Sequence, residues 1–332
     1  MGLARQALLW ASRRKWLGAK FQAWSFTRRA SRRFLPGEDL EAALEAVVKL
    51  GDEGISSLIT LLGENVSTTA EVQDVVRQYQ TTLCQIQSRA ADCQLSIKPT
   101  QLGMDLGGDS CEQGLFALLP HAAGDLVWVD MESSGYVDRT LDLIETVNST
   151  HKNIGVCLQA YLHRTDGDLD RLVSRGIPVR LVKGAYREPA SVAIRKKKDV
   201  DVNYLKLGCR LLDAVAAGKG GPAAFATHDM NLVRSIQEYS VKRSVPGDAF
   251  EFEMLYGVGR EHQRRLVAEG FRVRVLVSYG SAWFPWYMRR LAERPANVWF
   301  VARSLVSRWG SGGGGDPTAS EPLNSGLSKT VK

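Results

Sequence analysis

Cysteine is scarce in this chain of 332 residues. The five present (Cys84, Cys93, Cys111, Cys157, Cys209) are scattered and form no C-x-x-C. That argues against a disulfide framework and a zinc site, and it fits a reducing compartment. The five histidines form no H-x-H or H-E-x-x-H, so no metal centre is expected. No apolar run reaches ~18 residues, so no helix is expected to span a membrane. An apolar stretch followed by a cleavage site is also missing. There is no G-x-S-x-G, and no cysteine sits beside a plausible base, so no hydrolase nucleophile emerges. There is no Walker A motif, and no G-x-G-x-x-G follows any apolar run. A nucleotide cofactor would therefore have to be held by strand ends and loops.

Acidic residues are missing from the front of the chain. The first is Glu38, after nine Lys or Arg, and this segment accounts for most of the net charge of +7. The body is close to neutral, so no nucleic-acid surface is expected across it. Residues 1–34 mix Trp10, Trp16, Phe21, Trp24 and Phe26 with Arg13, Arg14, Lys15, Lys20, Arg28, Arg29, Arg32 and Arg33. This composition suits a solvated basic helix packing its aromatics on the domain, an interfacial helix on anionic lipid, or a mitochondrial transit peptide. At the other end, Gly310-Ser311-Gly312-Gly313-Gly314-Gly315-Asp316-Pro317 opens a tail too poor in apolar residues to order itself. The expected divisions are a helical segment over 1–50, basic at its start, a catalytic unit over 51–309 and a disordered tail over 310–332.

The whole chain is 44% hydrophobic and 24% charged, ordinary for a globular protein. A helix is expected over 38–50, where Leu40, Leu44, Val47, Val48 and Leu50 recur near 3.6 spacing. Short apolar runs follow at 57–62, 95–98, 126–131, 154–159, 177–183, 223–227, 250–254 and 272–277. Amphipathic segments at 69–90, 138–150, 166–175, 190–217, 229–243 and 259–269 separate most of them. Strand–helix alternation implies parallel strands. Eight units of this length match a (β/α)8 TIM-type barrel better than an open doubly wound sheet. The 107–120 region reads as an insertion without a place in this scheme.

The stretch 180–188 is the richest in chemistry. A β-branched strand ends there in Arg180, Lys183 and Gly184. Arg180 and Val182 share one strand face, and Leu181 and Lys183 the other. Cations, free backbone N–H groups and room for close approach suit an anionic or electron-rich planar cofactor. A buried strand whose Arg180 finds a carboxylate suits the pattern equally. In a barrel, the site lies at the C-terminal strand ends. Those ends carry Glu64, Lys98, Asp130 with Glu132, Gln159, Lys183 with Gly184, Thr227 with His228 and Asp229, Leu255, and Ser278 with Tyr279. So many polar or ionisable groups at the points where apolar runs stop mark one rim as functional.

A further helix is expected over 281–294, stopped by Pro295. Its adjacent Arg289 and Arg290 point about 100° apart and can grip one carboxylate or phosphate from two sides. Glu293 is within pairing distance of both, so a solvated, ion-paired helix is the plainer alternative. Thr227-His228-Asp229 suggests a His–Asp acid/base pair. Lys98 could neutralise Asp130 or Glu132.

Taken together, the segments 61–66, 159–161, 180–188, 226–229, 252–257 and 289–297 resemble proline dehydrogenase, the FAD-dependent barrel family, in its bacterial monofunctional form. The resemblance runs from about Phe26 to Leu305. It implies a (β/α)8 barrel with N-terminal helices and a last helix over the barrel mouth. It further implies oxidation of L-proline to Δ1-pyrroline-5-carboxylate with FAD as cofactor. Electrons pass to a membrane quinone, and a pyrroline-5-carboxylate dehydrogenase consumes the product. The same fold acting on hydroxyproline, or binding flavin or proline without turnover, is the alternative.

By the same resemblance, Arg289, Arg290 and Lys98 hold the substrate carboxylate, and Leu255 and Tyr279 press its ring toward the flavin. Asp130 backs Lys98 and joins Arg180, near the flavin N5, as the catalytic residues. Glu64 acts as a gate and Glu293 braces the site. Met131, Gln159, Val182, Lys183, Gly184 and Ala185 contact the flavin ring and ribityl chain, and Thr227 and His228 its adenine half or pyrophosphate. No metal is implied. The implied location is the cytoplasm, peripheral on the inner membrane surface, or the mitochondrial matrix if the basic segment is a transit peptide. Arg187, Ser278 and Thr60 depart from the family's pattern.

Overall fold

The computed structural model describes residues 34–64 and 66–283. Eight parallel strands close into a barrel in sequence order. They are β1 (Ser56–Leu61), β2 (Cys93–Ile97), β3 (Val127–Val129), β4 (Ile154–Gln159), β5 (Val179–Val182), β6 (Ala223–Ala226), β7 (Phe250–Leu255) and β8 (Arg272–Tyr279). Closure is made by β8 on β1, with Leu276 opposite Leu58 and Tyr279 opposite Leu61. A closed ring leaves no strand edge exposed.

The described helices are α1 (Leu40–Gly51), α2 (Thr69–Ser88), α3 (Ser110–Leu118), α4 (Val137–Asn148), α5 (Thr165–Val173), α6 (Lys197–Ala216), α7 (Met230–Lys242) and α8 (Arg260–Ala268). Local signals fix several starts. Asp39 caps α1 by accepting from the Ala42 N–H. Thr68 and Glu71 cap α2 reciprocally, each side chain bonding the other's backbone N–H. The 107–120 stretch is a helix and not an insertion: α3 lies between β2 and β3, and its Gly114 packs closely on Leu102. Gly107 and Gly108 before it and Gly114 within it obscured its periodicity. α6 starts at Lys197, seven residues later than the expected 190, because Pro189 and the turn after it lead a loop across the barrel's C-terminal face.

Strand alternation sorts side chains into two layers. Outward residues such as Ile59, Val129, Leu181, Phe252 and Val277 are buried against the helices in the main core. Inward, Leu58, Trp128 and Ala224 form a small cluster with Leu276 packed on it. These come from β1, β3, β6 and β8, so they meet across the barrel axis and floor its interior. Gly155 makes room for this floor, since a Cβ there would stand 2.8 Å from the Trp128 ring. At the N-terminal end the interior is plugged by Arg274, fully buried, bonded to Glu251, Asp92 and the Ser57 carbonyl. The barrel is thus closed below and opens toward the C-terminal strand ends.

Candidate active site

Above the floor, one wall of the opening is charged. Asp130, just beyond β3, accepts from Lys98 Nζ at 3.0 Å, Ser96 Oγ at 2.9 Å and Arg180 Nη1 at 2.9 Å. Arg180 comes from β5, crosses the axis to Ser96 of β2 at 3.1 Å, and lies over the Trp128 ring, 4.7 Å from its centroid. Burial would raise the Asp130 pKa, but the Lys98 and Arg180 charges override it and hold it below the usual carboxylate range. Burial likewise disfavours the charged forms of Lys98 and Arg180. Asp130 lifts Lys98 above its usual value, and Glu253 and Asp130 do the same for Arg180. Both remain cations. Lys98 therefore neutralises Asp130 and not Glu132. The latter is buried and accepts from the Thr100 N–H and hydroxyl at 3.0 and 2.8 Å.

The opposite wall is mostly apolar, apart from the inward, buried Thr60 and Ser278 of β1 and β8. Leu255 and Leu276 are register partners on β7 and β8, share the inward parity of Glu253 and Arg274, and are half-buried. Val182 and Ala226, also half-buried, continue this surface on β5 and β6. An inward apolar residue in a barrel strand stays partly exposed only where the interior opens, so these four trace a cavity.

Tyr279 does not belong to that wall. It lies in the outer core with Val275 and Val277, and its hydroxyl meets Thr82 of α2 at 2.8 Å. The expectation that it presses the substrate ring is corrected: β8 turns Leu276 inward and Tyr279 outward, three residues apart and of opposite parity. Met131 follows Asp130 at the end of β3. Its side chain is buried, and its carbonyl accepts from Gln159 Nε2 at 3.2 Å.

The remaining rim residues divide into two sets. Gln159 is buried, its Nε2 held by the Met131 and Glu132 carbonyls, with its Oε1 lacking a partner among the described residues. Arg180 Nη2 is likewise buried without a hydrogen-bond partner among them. Gly184 adopts φ +110°, and a Cβ there would meet the Tyr161 ring at 2.2 Å. Ala185 beside it is exposed. An open acceptor, an open donor, a tight glycine turn and flanking aliphatic walls fit a planar heterocycle carrying both donor and acceptor edges. Lys183 points away from Asp130 and is bound by Asp201 at 2.5 Å and Asp229 at 3.0 Å.

Thr227 accepts from the Asp229 N–H at 3.1 Å, and His228 Nε2 accepts from the Leu255 N–H at 2.9 Å. Asp229 is taken up by Lys183 and by capping α7. The His228–Asp229 acid/base reading is corrected accordingly, since His228 braces Leu255 instead. Glu64, half-buried after β1, adds to the field that keeps Lys98 charged. Arg289, Arg290 and Glu293, with the helix expected to carry them, lie outside the described residues.

Residue-type reasoning overlooked Ser96, Trp128, Glu253 and Leu276. All four share inward parity with residues it did select, and stepping two residues back from each strand end would have found them.

A sequence profile described as proline dehydrogenase matches residues 43–303. The chain is 34% identical over 309 residues to proline dehydrogenase 1 of Bacillus subtilis subsp. natto, covering 92% of this chain and all of that one. It is 33% identical to the proline dehydrogenase of Deinococcus radiodurans, covering 87% of this chain and 92% of that one. In fold it is similar to proline utilization A from Bdellovibrio bacteriovorus, with a TM-score of 0.72 at 24% identity. It is also similar to the corresponding protein of Corynebacterium freiburgense, with a TM-score of 0.68 at 21% identity. The aligned parts cover 83% and 92% of this chain but only 33% and 35% of those longer ones. The chain belongs to the proline dehydrogenase family and is an oxidoreductase acting on proline.

Proposed function

We propose that the chain is an FAD-dependent enzyme that oxidises L-proline to Δ1-pyrroline-5-carboxylate and passes the electrons to a membrane quinone. The observation that carries this is the two-sided cavity, with Lys98, Asp130 and Arg180 facing Leu255 and Leu276. Proline has the matching halves, a carboxylate for the cations and an aliphatic ring for the leucines. Family membership implies a flavin, and Gln159, Arg180, Val182 and Gly184 would hold its ring system. When bound, FAD would supply the acceptor for the hydride that leaves the ring carbon next to nitrogen.

The chain's own residues have three tasks. Lys98 draws the substrate carboxylate to the β2 side, and Asp130 keeps Lys98 charged and aimed. While Glu253 is neutral, Lys98 and Arg180 outnumber Asp130 and raise the local positive potential. That lowers the pKa of the bound amine and favours the neutral nitrogen whose lone pair must assist hydride loss. Leu255 and Leu276 cover the ring, exclude water and hold it in one orientation. A ring hydroxyl set against these leucines would lose its hydrogen bonds to water, which favours proline over hydroxyproline.

In this reading the quinone lies at a membrane surface. The basic aromatic segment 1–34 supports peripheral attachment by its composition, at the cytoplasmic face or, if it is a transit peptide, in the mitochondrial matrix. A pyrroline-5-carboxylate dehydrogenase consumes the product. Similarity to the bifunctional protein PutA of Escherichia coli, 26% identical over 316 residues and covering 81% of this chain but 24% of that one, supports coupling to a second activity.

The test is to release the cofactor by denaturation and identify it, then to follow turnover with L-proline and with 4-hydroxy-L-proline. FAD, a cyclic imine product and kcat/KM higher for proline are expected. A different cofactor, no imine, or preference for the hydroxylated ring would contradict the reading.

A further inference from the structure

We propose that Glu253 is a positioning residue for Arg180, gripping the guanidinium from the β7 side, opposite Asp130, and setting the net charge Arg180 presents to the flavin. The inference rests on the reading that a flavin binds over Arg180. Glu253 Oε2 lies 2.8 Å from Arg180 Nε, and both side chains are about 95% buried. The nitrogen–oxygen line is poorly aligned for a hydrogen bond, so the contact is charge to charge. The second oxygen, Oε1, is buried with no hydrogen-bond partner among the described residues.

Arg180 is thus held between two carboxylates on strands that do not neighbour β5, with Trp128 beneath it. A guanidinium fixed from both sides cannot swing away when a planar ring is laid on it. Its charge, however, depends on what Glu253 carries. With Glu253 ionised, Lys98 and Arg180 are matched by Asp130 and Glu253. With Glu253 neutral, one positive charge remains uncompensated under the cofactor.

Around Glu253 the cations and Asp130 keep their charge. Arg180 on β5 and Arg274 on β8 stay cationic, and Asp130, just beyond β3, stays anionic. Glu251, on the same strand, is paired to Arg274. Burial pushes the Cys157 thiol of β4 up to about 12 and the Tyr204 phenol of α6 well above its usual value. Burial pushes Glu253 up to about 7, with Arg180 pulling the other way and Glu251 adding to the rise.

The test is a redox titration of the holoenzyme flavin from pH 5.5 to 9, in wild type, Glu253→Gln and Glu253→Asp. Ionised Glu253 opposes the negative charge gained on reduction. The wild-type potential is therefore expected to fall more steeply with pH near 7 than that of Glu253→Gln. The two coincide below that break. At pH 9 Glu253→Gln is more positive by about 30 mV or more, a tenfold change in the ratio of oxidised to reduced two-electron couple. Glu253→Asp restores the break. Coincident curves for wild type and Glu253→Gln across the range, with flavin bound, overturn the role of Glu253 and leave the flavin reading intact. A protein that binds no flavin overturns both.

Discussion

Arg180 of β5 and Asp130, just beyond β3, meet inside the barrel, Nη1 to Oδ1 at 2.9 Å, although β3 and β5 are separated by β4. The sheet order β3, β4, β5 sets both on the inward face, two strands apart. Lys98 joins the same carboxylate from the β2 side at 3.0 Å, so one anion organises two cations of the site.

Asp130→Asn keeps the shape and removes the charge. Lys98 and Arg180 would then be largely buried around a neutral group, a loss expected to be about 3 kcal/mol of stability without substrate. The pH dependence has a definite sign. Because the folded pKa of Asp130 lies below its usual value, its stabilisation is complete above the usual carboxylate range and is lost as pH falls through the folded value. Thermal unfolding between pH 6 and 3 should show wild type losing stability with acidification more steeply than Asp130→Asn. Parallel curves would contradict the ion-pair account.

The two faces of β8 give a paired test. Tyr279→Phe removes the hydroxyl that meets Thr82 and is expected to cost about 1 kcal/mol of stability, leaving kcat/KM for proline within about twofold. Leu276→Ala opens the inner wall and is expected to lower kcat/KM by about tenfold or more, with less loss of stability than Leu181→Ala in the outer core, where about 2–5 kcal/mol is expected. Calorimetry and steady-state kinetics on the three variants check the assignment. The reverse pattern would return Tyr279 to the site.

Gly184 is required twice over, by its φ of +110° and by the Tyr161 ring that a Cβ would meet at 2.2 Å. Gly184→Ala must shift either the turn after β5 or Tyr161. We expect purified Gly184→Ala to retain less than about a tenth of the wild-type flavin per chain while its far-ultraviolet circular dichroism is unchanged. Full flavin retention would show that the turn does not serve the cofactor.

Much of the architecture was legible because buried parallel strands read as short apolar runs and their ends carry polar groups. Ile154–Gln159 was readable to the residue, since Ile154, Val156, Cys157 and Leu158 make a short apolar run that ends on the polar Gln159. Side-chain direction at strand ends was harder. The resemblance supplied a tyrosine for the ring wall, and Tyr279 stands close to the right place, but strand parity sends it to the helix layer. The Arg180 cluster was only half legible, because the carboxylates that claim Arg180 are about 50 and 73 residues away along the chain and only the closed register places them. α3 was hidden because glycine-rich flanks mask the few apolar positions that anchor it.

The central claim is that the cavity between Asp130 and Leu276 brings proline to a flavin. Anaerobic mixing of the purified holoenzyme with L-proline, followed by visible absorbance in the stopped flow, tests it most directly. Bleaching of the flavin band at a rate that saturates with proline, slowed at least about tenfold in Leu276→Ala, is the predicted result. A flavin band that proline leaves unchanged, or no flavin band even after incubation with FAD, would contradict it.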